Sequence, residues 1–364
     1  MQKALLEVPD RYKYTRHGLL ILTSLYLASC TSLTYYLQAA SGQMEIFHKQ
    51  RSIPDVISRQ DTDPVIKEKL KFVQNILDFA RKELMLPNHG SYRTYARIDR
   101  KYVVWNVFAT PEFSVKAKQW CYLFAGCLSY RGYFDEARAY VSAKKLKESG
   151  WDVYVAGVSA YSTLGWFRDP VLNTMLDREN WEIARLVFHE LAHQKIYINN
   201  DVDFNEAFAD SVARIGLMRW LEGRPLLDKE RISTLLSHED EVYNLILRYR
   251  DRLSRLYLLN IDDDVKRERK ILLFDKLQND YEALRQNWGN DHRYDSWIKN
   301  DMNNAKLAAV STYRRLVPYF INLFRASGKD LRTFYALVTS LSHCEQEQRR
   351  EFMLEYPKTE IHCP

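Results

Sequence analysis

Apolar positions in this 364-residue chain recur at helical spacing over most of its length and at the strand period over one shorter stretch. Residues 31–47 keep a helical period. Val65, Ile66, Leu70, Phe72, Val73, Ile76, Leu77, Phe79 and Ala80 predict an amphipathic helix over residues 62–86, which Pro87-Asn88-His89-Gly90 ends. Then the pattern changes. Segments 102–109, 120–124, 127–133 and 151–155 are rich in β-branched and aromatic residues with turn residues between them. They predict a small twisted sheet, interrupted by a helix over 134–149. Helices follow over 179–196 and 204–221, the second closing near Gly223-Arg224-Pro225. Residues 226–288 hold no glycine and no proline, and Leu235, Leu236, Val242, Leu245, Ile246, Tyr249, Leu253 and Leu256 keep a helical spacing. With a break at Asp262-Asp263-Asp264, this stretch predicts a long antiparallel helical pair. Region 301–357 is again helical, punctuated by Pro318 and Gly328. The expected fold is α+β and predominantly helical, with no internal repeat.

Chemistry enters at residues 189–193, His-Glu-Leu-Ala-His, and again at 205–210, Asn-Glu-Ala-Phe-Ala-Asp. Positions i and i+4 share a helix face, so His189 and His193 can hold one ion from adjacent turns. Catalytic zinc takes three protein ligands and keeps one position open for water. Glu206 supplies the third ligand, and Glu190 is placed to take a proton from water at the metal. The flanks, Trp181–Phe188 and Leu191-Ala192, are mostly apolar. Two histidines and a glutamate in so apolar a helix would be costly to bury without a compensating cation. Asp210 is i+4 from Glu206 and is expected to accept the second ring N–H of a ligating histidine, fixing its tautomer.

Composition narrows the setting. The formal net charge is +6, with acidic and basic residues interleaved, which indicates solvated helix faces and no nucleic-acid surface. Lys3, Arg11, Lys13 and Arg16 precede an apolar run from Gly18 to Ser29, too short to span a bilayer but suited to a signal-peptide core. Leu27-Ala28-Ser29-Cys30 resembles the lipobox of bacterial lipoproteins, which implies cleavage after residue 29 and acylation of Cys30. Several acyl chains on one residue give stable anchoring where one does not. Thr31, where an aspartate would favour inner-membrane retention, implies an outer-membrane anchor facing the periplasm. The remaining cysteines, Cys121, Cys127, Cys344 and Cys363, allow three pairings, of which Cys121–Cys127 with Cys344–Cys363 is the most local; buried free thiols are the alternative.

The pairing of HExxH with a downstream Asn-Glu-x-x-x-Asp resembles the gluzincin metallopeptidases. More closely, the chain resembles the putative aminopeptidase family of Gram-negative bacterial lipoproteins. The resemblance rests on Tyr102-Val-Val-Trp-Asn-Val-Phe, Pro111-Glu-Phe-Ser, Cys127 with Tyr130-Arg-Gly-Tyr-Phe, and Ala160-Tyr-Ser-Thr-Leu-Gly-Trp-Phe. It continues through Phe188-His-Glu-Leu-Ala-His, Phe204-Asn-Glu-Ala-Phe-Ala, Asn303-Asn-Ala-Lys-Leu-Ala, Tyr313 and Val317-Pro318. It implies a zincin-like core: a small twisted sheet followed by metal-binding helices, with the long helical hairpin as an insertion. The corresponding division is signal peptide 1–29, helical segment 30–90, catalytic core 91–225, hairpin 226–300 and C-terminal helices 301–364. The Gly-x-Met-Glu-Asn strand that binds the substrate α-amine in gluzincin aminopeptidases does not occur in this chain.

The activity this implies is zinc-dependent hydrolysis of peptides in the periplasm, with one Zn2+ on His189, His193 and Glu206 and with Glu190 as general base. Tyr313, with Tyr161 second, is the candidate donor to the developing oxyanion. A strand over 151–160 could pair with an extended peptide, and Trp166 and Phe167 could line the entrance. Two other classes of function fit the same motifs. One is a metal-stabilised envelope lipoprotein without turnover whose 226–300 helices dock a protein partner; the other is a protease-like chaperone in outer-membrane assembly.

Overall fold

The computed structural model describes residues 33–87, 90–122, 126–160 and 167–354. The chain divides into two compact units, Met1–His48 and Lys49–Pro364. The first is described from residue 33, where helix α1 covers residues 33–49. The second unit contains everything discussed below, so segments 91–225, 226–300 and 301–364 are parts of one body.

That body begins with β1 (Arg51–Ser52), α2 (Ile53–Ser58) and α3 (Pro64–Glu83). Helix α3 starts where the physics of helix ends prescribes. Pro64 occupies the first turn, where its missing N–H costs nothing, and the Asp63 carboxylate accepts from the Val65 N–H at 2.7 Å. Strands β2 (Thr94–Ala96), β3 (Val104–Pro111), β4 (Trp120–Tyr122), β5 (Gly126–Leu128) and β6 (Arg131–Tyr133) lead to α4 (Glu136–Glu148) and β7 (Trp151–Val158). The strand-rich region does not form the one sheet that its sequence predicts. It separates into an antiparallel sheet ordered β6-β3-β7 and a detached β4-β5 hairpin. A third sheet, in which β1 pairs antiparallel to β2 and β2 parallel to β8 (Val171–Leu172), was not expected. Its strands are two or three residues long, below the length at which alternation is readable.

After α5 (Asn173–Leu176) come the two helices that carry the motifs, α6 (Asn180–Lys195) and α7 (Val202–Glu222), close to the expected bounds. Helix α6 is fixed at its start by the Glu182 carboxylate, which accepts from the Glu179 N–H at 3.0 Å. The hairpin is α8 (Leu226–Tyr257) and α9 (Asp263–Arg285), broken where Asp262 caps α9 by accepting from the Asp264 N–H. Then follow α10 (Asp295–Lys299), α11 (Asn304–Arg314), α12 (Val317–Ala326), α13 (Leu331–His343) and α14 (Gln346–Leu354). Pro318 starts α12 rather than interrupting a helix, and Gly328, at φ +69°, closes it. Among the described residues no helix is long and apolar enough to cross a membrane.

The helical pair is bound to the sheet as well as to itself. Lys270 of α9 is almost fully buried and donates to the Asp152 carboxylate at 2.7 Å and to the Glu112 carbonyl at 2.9 Å. Asn304, starting α11, donates to the same carbonyl at 2.8 Å. One face of α8 thus packs into a core of Val242, Leu245, Ile246, Tyr249, Phe274 and Tyr281, while α11 lies between α8 and β3.

The two motif helices make the most extensive contact between helices in the body. Gly216 permits it, because a Cβ there would sit 2.5 Å from Leu84 Cδ1 and 2.9 Å from Phe188 Cδ2. Phe188 is fully buried and immediately precedes the first motif histidine. Gly216→Val should therefore push α7 off α6 and lower unfolding stability by about 1–3 kcal/mol, the usual cost of overpacking. A urea titration reads this directly, and an unchanged midpoint would contradict the close-packing argument.

Candidate active site

Helix α6 brings His189 and His193 to one face, and α7 crosses that face at Glu206. The two Nε2 atoms lie 3.2 Å apart, and Glu206 Oε2 lies 3.3 Å from the first and 3.7 Å from the second. These are three lone-pair atoms converging on one point, each within 4.8 Å of the others. At most one proton can bridge two imidazole nitrogens so placed, so the cluster has the acceptor-rich chemistry that suits a divalent cation. Burial pushes the Glu206 carboxyl up, but the His193 and His189 rings outweigh it and bring it down to about 2. In His189 burial works against the charged form and Glu206 overcomes it, leaving the ring raised.

Glu190 stands apart from that convergence. It is 7% exposed, and burial raises its carboxyl despite both motif histidines pulling the other way. A carboxyl whose hold on its proton is strengthened by burial is shifted in the direction that suits a proton acceptor and donor.

The short connection from His193 to Glu206 is locked by Asn205, the first residue of the second motif. Its amide carbonyl accepts from the Ile198 N–H at 2.8 Å, and its NH2 donates to the Ile198 carbonyl at 2.7 Å. Asp201 caps α7 by accepting from the Phe204 N–H, and Arg349 of α14 grips the same carboxylate at 2.8 and 3.0 Å. Asn200, in the left-handed region at φ +64°, accepts from the Cys127 N–H at 3.0 Å. Through it the β4-β5 hairpin, cross-linked by the Cys121–Cys127 disulfide, is fastened to the loop that sets Glu206.

Asp210 has different partners from those expected. Its carboxylate pairs with Arg185 at 3.0 Å and with Arg314 at 2.8 Å, and no histidine N–H is among its hydrogen bonds. The same guanidinium groups bind Glu239 of α8 at 2.7 and 2.6 Å, and the Tyr243 hydroxyl donates to Glu239 at 3.1 Å. Two arginines so close outcompete a neutral ring for a carboxylate. Burial pushes Asp210 up, yet Arg314 and Arg185 bring it down to about 2. Sequence reasoning missed Arg185, Glu239 and Arg314. One signal was available: Arg185 is the one basic residue in the mostly apolar flank Trp181–Phe188, one turn before His189.

The other candidates are less placed. Tyr313 is on α11 beside Arg314, but its side chain lies outside the described residues, as do Tyr161, Trp166, Cys30 and Cys363. Phe167 is exposed, Cys344 is disulfide-bonded, and Tyr197, which was not singled out, lies edge-on to His193 at 6.3 Å between ring centres.

Two outcomes follow from the buried ion network. Arg314→Ala leaves Asp210 and Glu239 short of positive charge and should cost about 3–5 kcal/mol of stability, measured by urea unfolding. Asp210, depressed to about 2 in the fold against about 3.9 when unfolded, stabilises fully above about pH 5. Its contribution, about 2–3 kcal/mol, should disappear progressively as pH falls from about 5 to about 1, and Asp210→Asn should flatten that limb of the stability curve.

No curated protein and no solved structure shows significant similarity to the chain. A family model does, the one described as "Putative aminopeptidase", which matches residues 34–353 and so spans both motif helices, the hairpin and the C-terminal helices. The chain belongs to the putative aminopeptidase family.

Proposed function

We propose that this protein is a zinc-dependent aminopeptidase that hydrolyses peptides at the periplasmic face of the outer membrane, to which acylated Cys30 anchors it. The observation that carries the catalytic reading is the convergence of His189 Nε2, His193 Nε2 and Glu206 Oε2 beside a buried carboxyl, Glu190, that is not one of the converging atoms. A purely structural metal site needs ligands but no base, so Glu190 favours turnover over a static role.

Zinc held by the three ligands would bring the pKa of a bound water to about 7 and polarise the scissile carbonyl. Glu190 takes the proton of the attacking water as its oxygen bonds to the carbonyl carbon, then delivers that proton to the amine nitrogen as the C–N bond breaks. Asn205 and the α7 cap hold Glu206 against the two histidines during both steps, so no ligand has to be ordered at the moment of reaction. Tyr313 is the proposed donor to the carbonyl oxygen as charge develops on it.

Glu190→Gln should retain one zinc per chain, measured by atomic emission, and lose about 100-fold to 10,000-fold in turnover of aminoacyl substrates. Undiminished turnover would remove Glu190 from the mechanism. His193→Ala should lose metal and activity together. Cleavage confined to amino-blocked peptides would leave a metallopeptidase that is not an aminopeptidase. For the anchor, mass spectrometry of the membrane-extracted protein should find acylated Cys30 at the amino terminus, and an unmodified cysteine there would refute the anchoring.

A further inference from the structure

A cavity of about 410 Å³ opens between the β6-β3-β7 sheet and helices α8, α10 and α11. Its floor is one face of paired strands: Asn106 stands opposite Ala156 and Phe108 opposite Tyr154. Val242, Ile246 and Val310 close it from the helices. The volume lies within the range of small-molecule pockets and well above packing defects.

Its charged groups and most of its polar ones are committed elsewhere, with the Asn106 amide and the Tyr294 hydroxyl also on its lining. Arg314 is paired with Asp210 and Glu239, Arg293 with Asp291, and the Tyr243 hydroxyl with Glu239. The Trp297 indole N–H donates to the Tyr154 hydroxyl at 2.9 Å. With its guanidinium groups neutralised, the cavity presents aliphatic and aromatic surface. A charged occupant would lose hydration without gaining an unpaired counter-charge, whereas an apolar one gains for each methylene it buries.

One side chain links the cavity wall to the neighbourhood of the site. Arg314 forms part of its wall and reaches Asp210, which is one helical turn, about 5.4 Å, along α7 from Glu206. Among the described residues β7 pairs with no strand but β3; at the start of its other edge the Val153 carbonyl accepts from Asn303 at 3.2 Å, and no described strand covers the edge beyond. A peptide adding to that edge would direct alternate side chains to the face of Tyr154 and Ala156, the floor of the cavity.

We propose that this cavity is the specificity pocket of the peptidase and takes a large apolar or aromatic side chain of the peptide substrate. The inference rests on the peptidase reading, and its test separates the two. Full-length Glu190→Gln protein in lipid nanodiscs would be titrated with phenylalanine amide, alanine amide and glutamate amide by calorimetry. Phenylalanine amide should bind about tenfold or more tightly than alanine amide, with glutamate amide weaker still. Val310→Phe and Ala156→Phe, which fill the cavity, should bring phenylalanine and alanine to within about twofold, with zinc content and thermal unfolding unchanged. In the active protein the same substitutions should raise KM for phenylalanyl peptides and leave alanyl peptides as they were. Equal binding of the phenylalanine and alanine amides overturns the pocket even if peptides are cleaved. So does a cavity occupied by co-purified lipid that excludes phenylalanine amide. Discrimination that persists without any hydrolysis would uphold the pocket and overturn the peptidase.

Discussion

Four charges withdrawn from water govern how this molecule is put together. Arg185, Asp210, Glu239 and Arg314 come from α6, α7, α8 and α11, and each arginine spans both acids. Removing any one leaves a buried charge uncompensated, so the four helices are acceptable together and not in part. Both motif helices are in that set, with Arg185 one turn before His189 and Asp210 one turn after Glu206. The position of the converging ligand atoms therefore depends on α8 and α11 as much as on the motif residues.

This changes the standing of the helical hairpin. Its apolar stripe and charged faces read as an insertion with solvated sides, and much of α9 is indeed exposed. Yet Glu239 completes the ion network, Tyr243 packs beneath Arg314, and Lys270 is buried against Asp152 at the start of β7. The hairpin is a wall of the body that holds the candidate site. Its removal would expose the cavity on the sheet face and the charges behind the ligands together.

What was legible in the sequence follows from the range of the forces involved. Helix periods and end signals are local, so α3, α6, α7, α8 and α9 could be bounded within a few residues, and the i, i+4 spacing of His189 and His193 put both rings on one face of α6. The Asn-Glu-x-x-x-Asp motif was recognised, but the work of its first residue was not: Asn205 spends its amide closing the loop at Ile198, a contact that no period encodes. Asp210 was assigned to a histidine because the arginine from α11 that claims it is remote in the chain. The short strands β1, β2 and β8 left no alternation to read, and the separation of β4-β5 from the larger sheet depends on its tie to Asn200. For Asp210 and for the β4-β5 hairpin the deciding partner lies far along the sequence.

That division between near and far partners has a consequence for the order in which the chain can acquire structure. The segment from His189 to Glu206 closes with a single short loop, already cinched by its own asparagine, so the ligand set needs little chain entropy to gather. The ion network must bring Arg314 to Glu239 across 75 residues and cannot form until α11 exists. Loop closure grows costlier with length, and long-range contacts are slow to form. A nascent chain can thus present its ligands before the walls that shield them are in place. Were the proposed zinc site correct, that exposed, half-built centre would be the state most open to a competing metal, and compartment and timing would bear on which ion entered it.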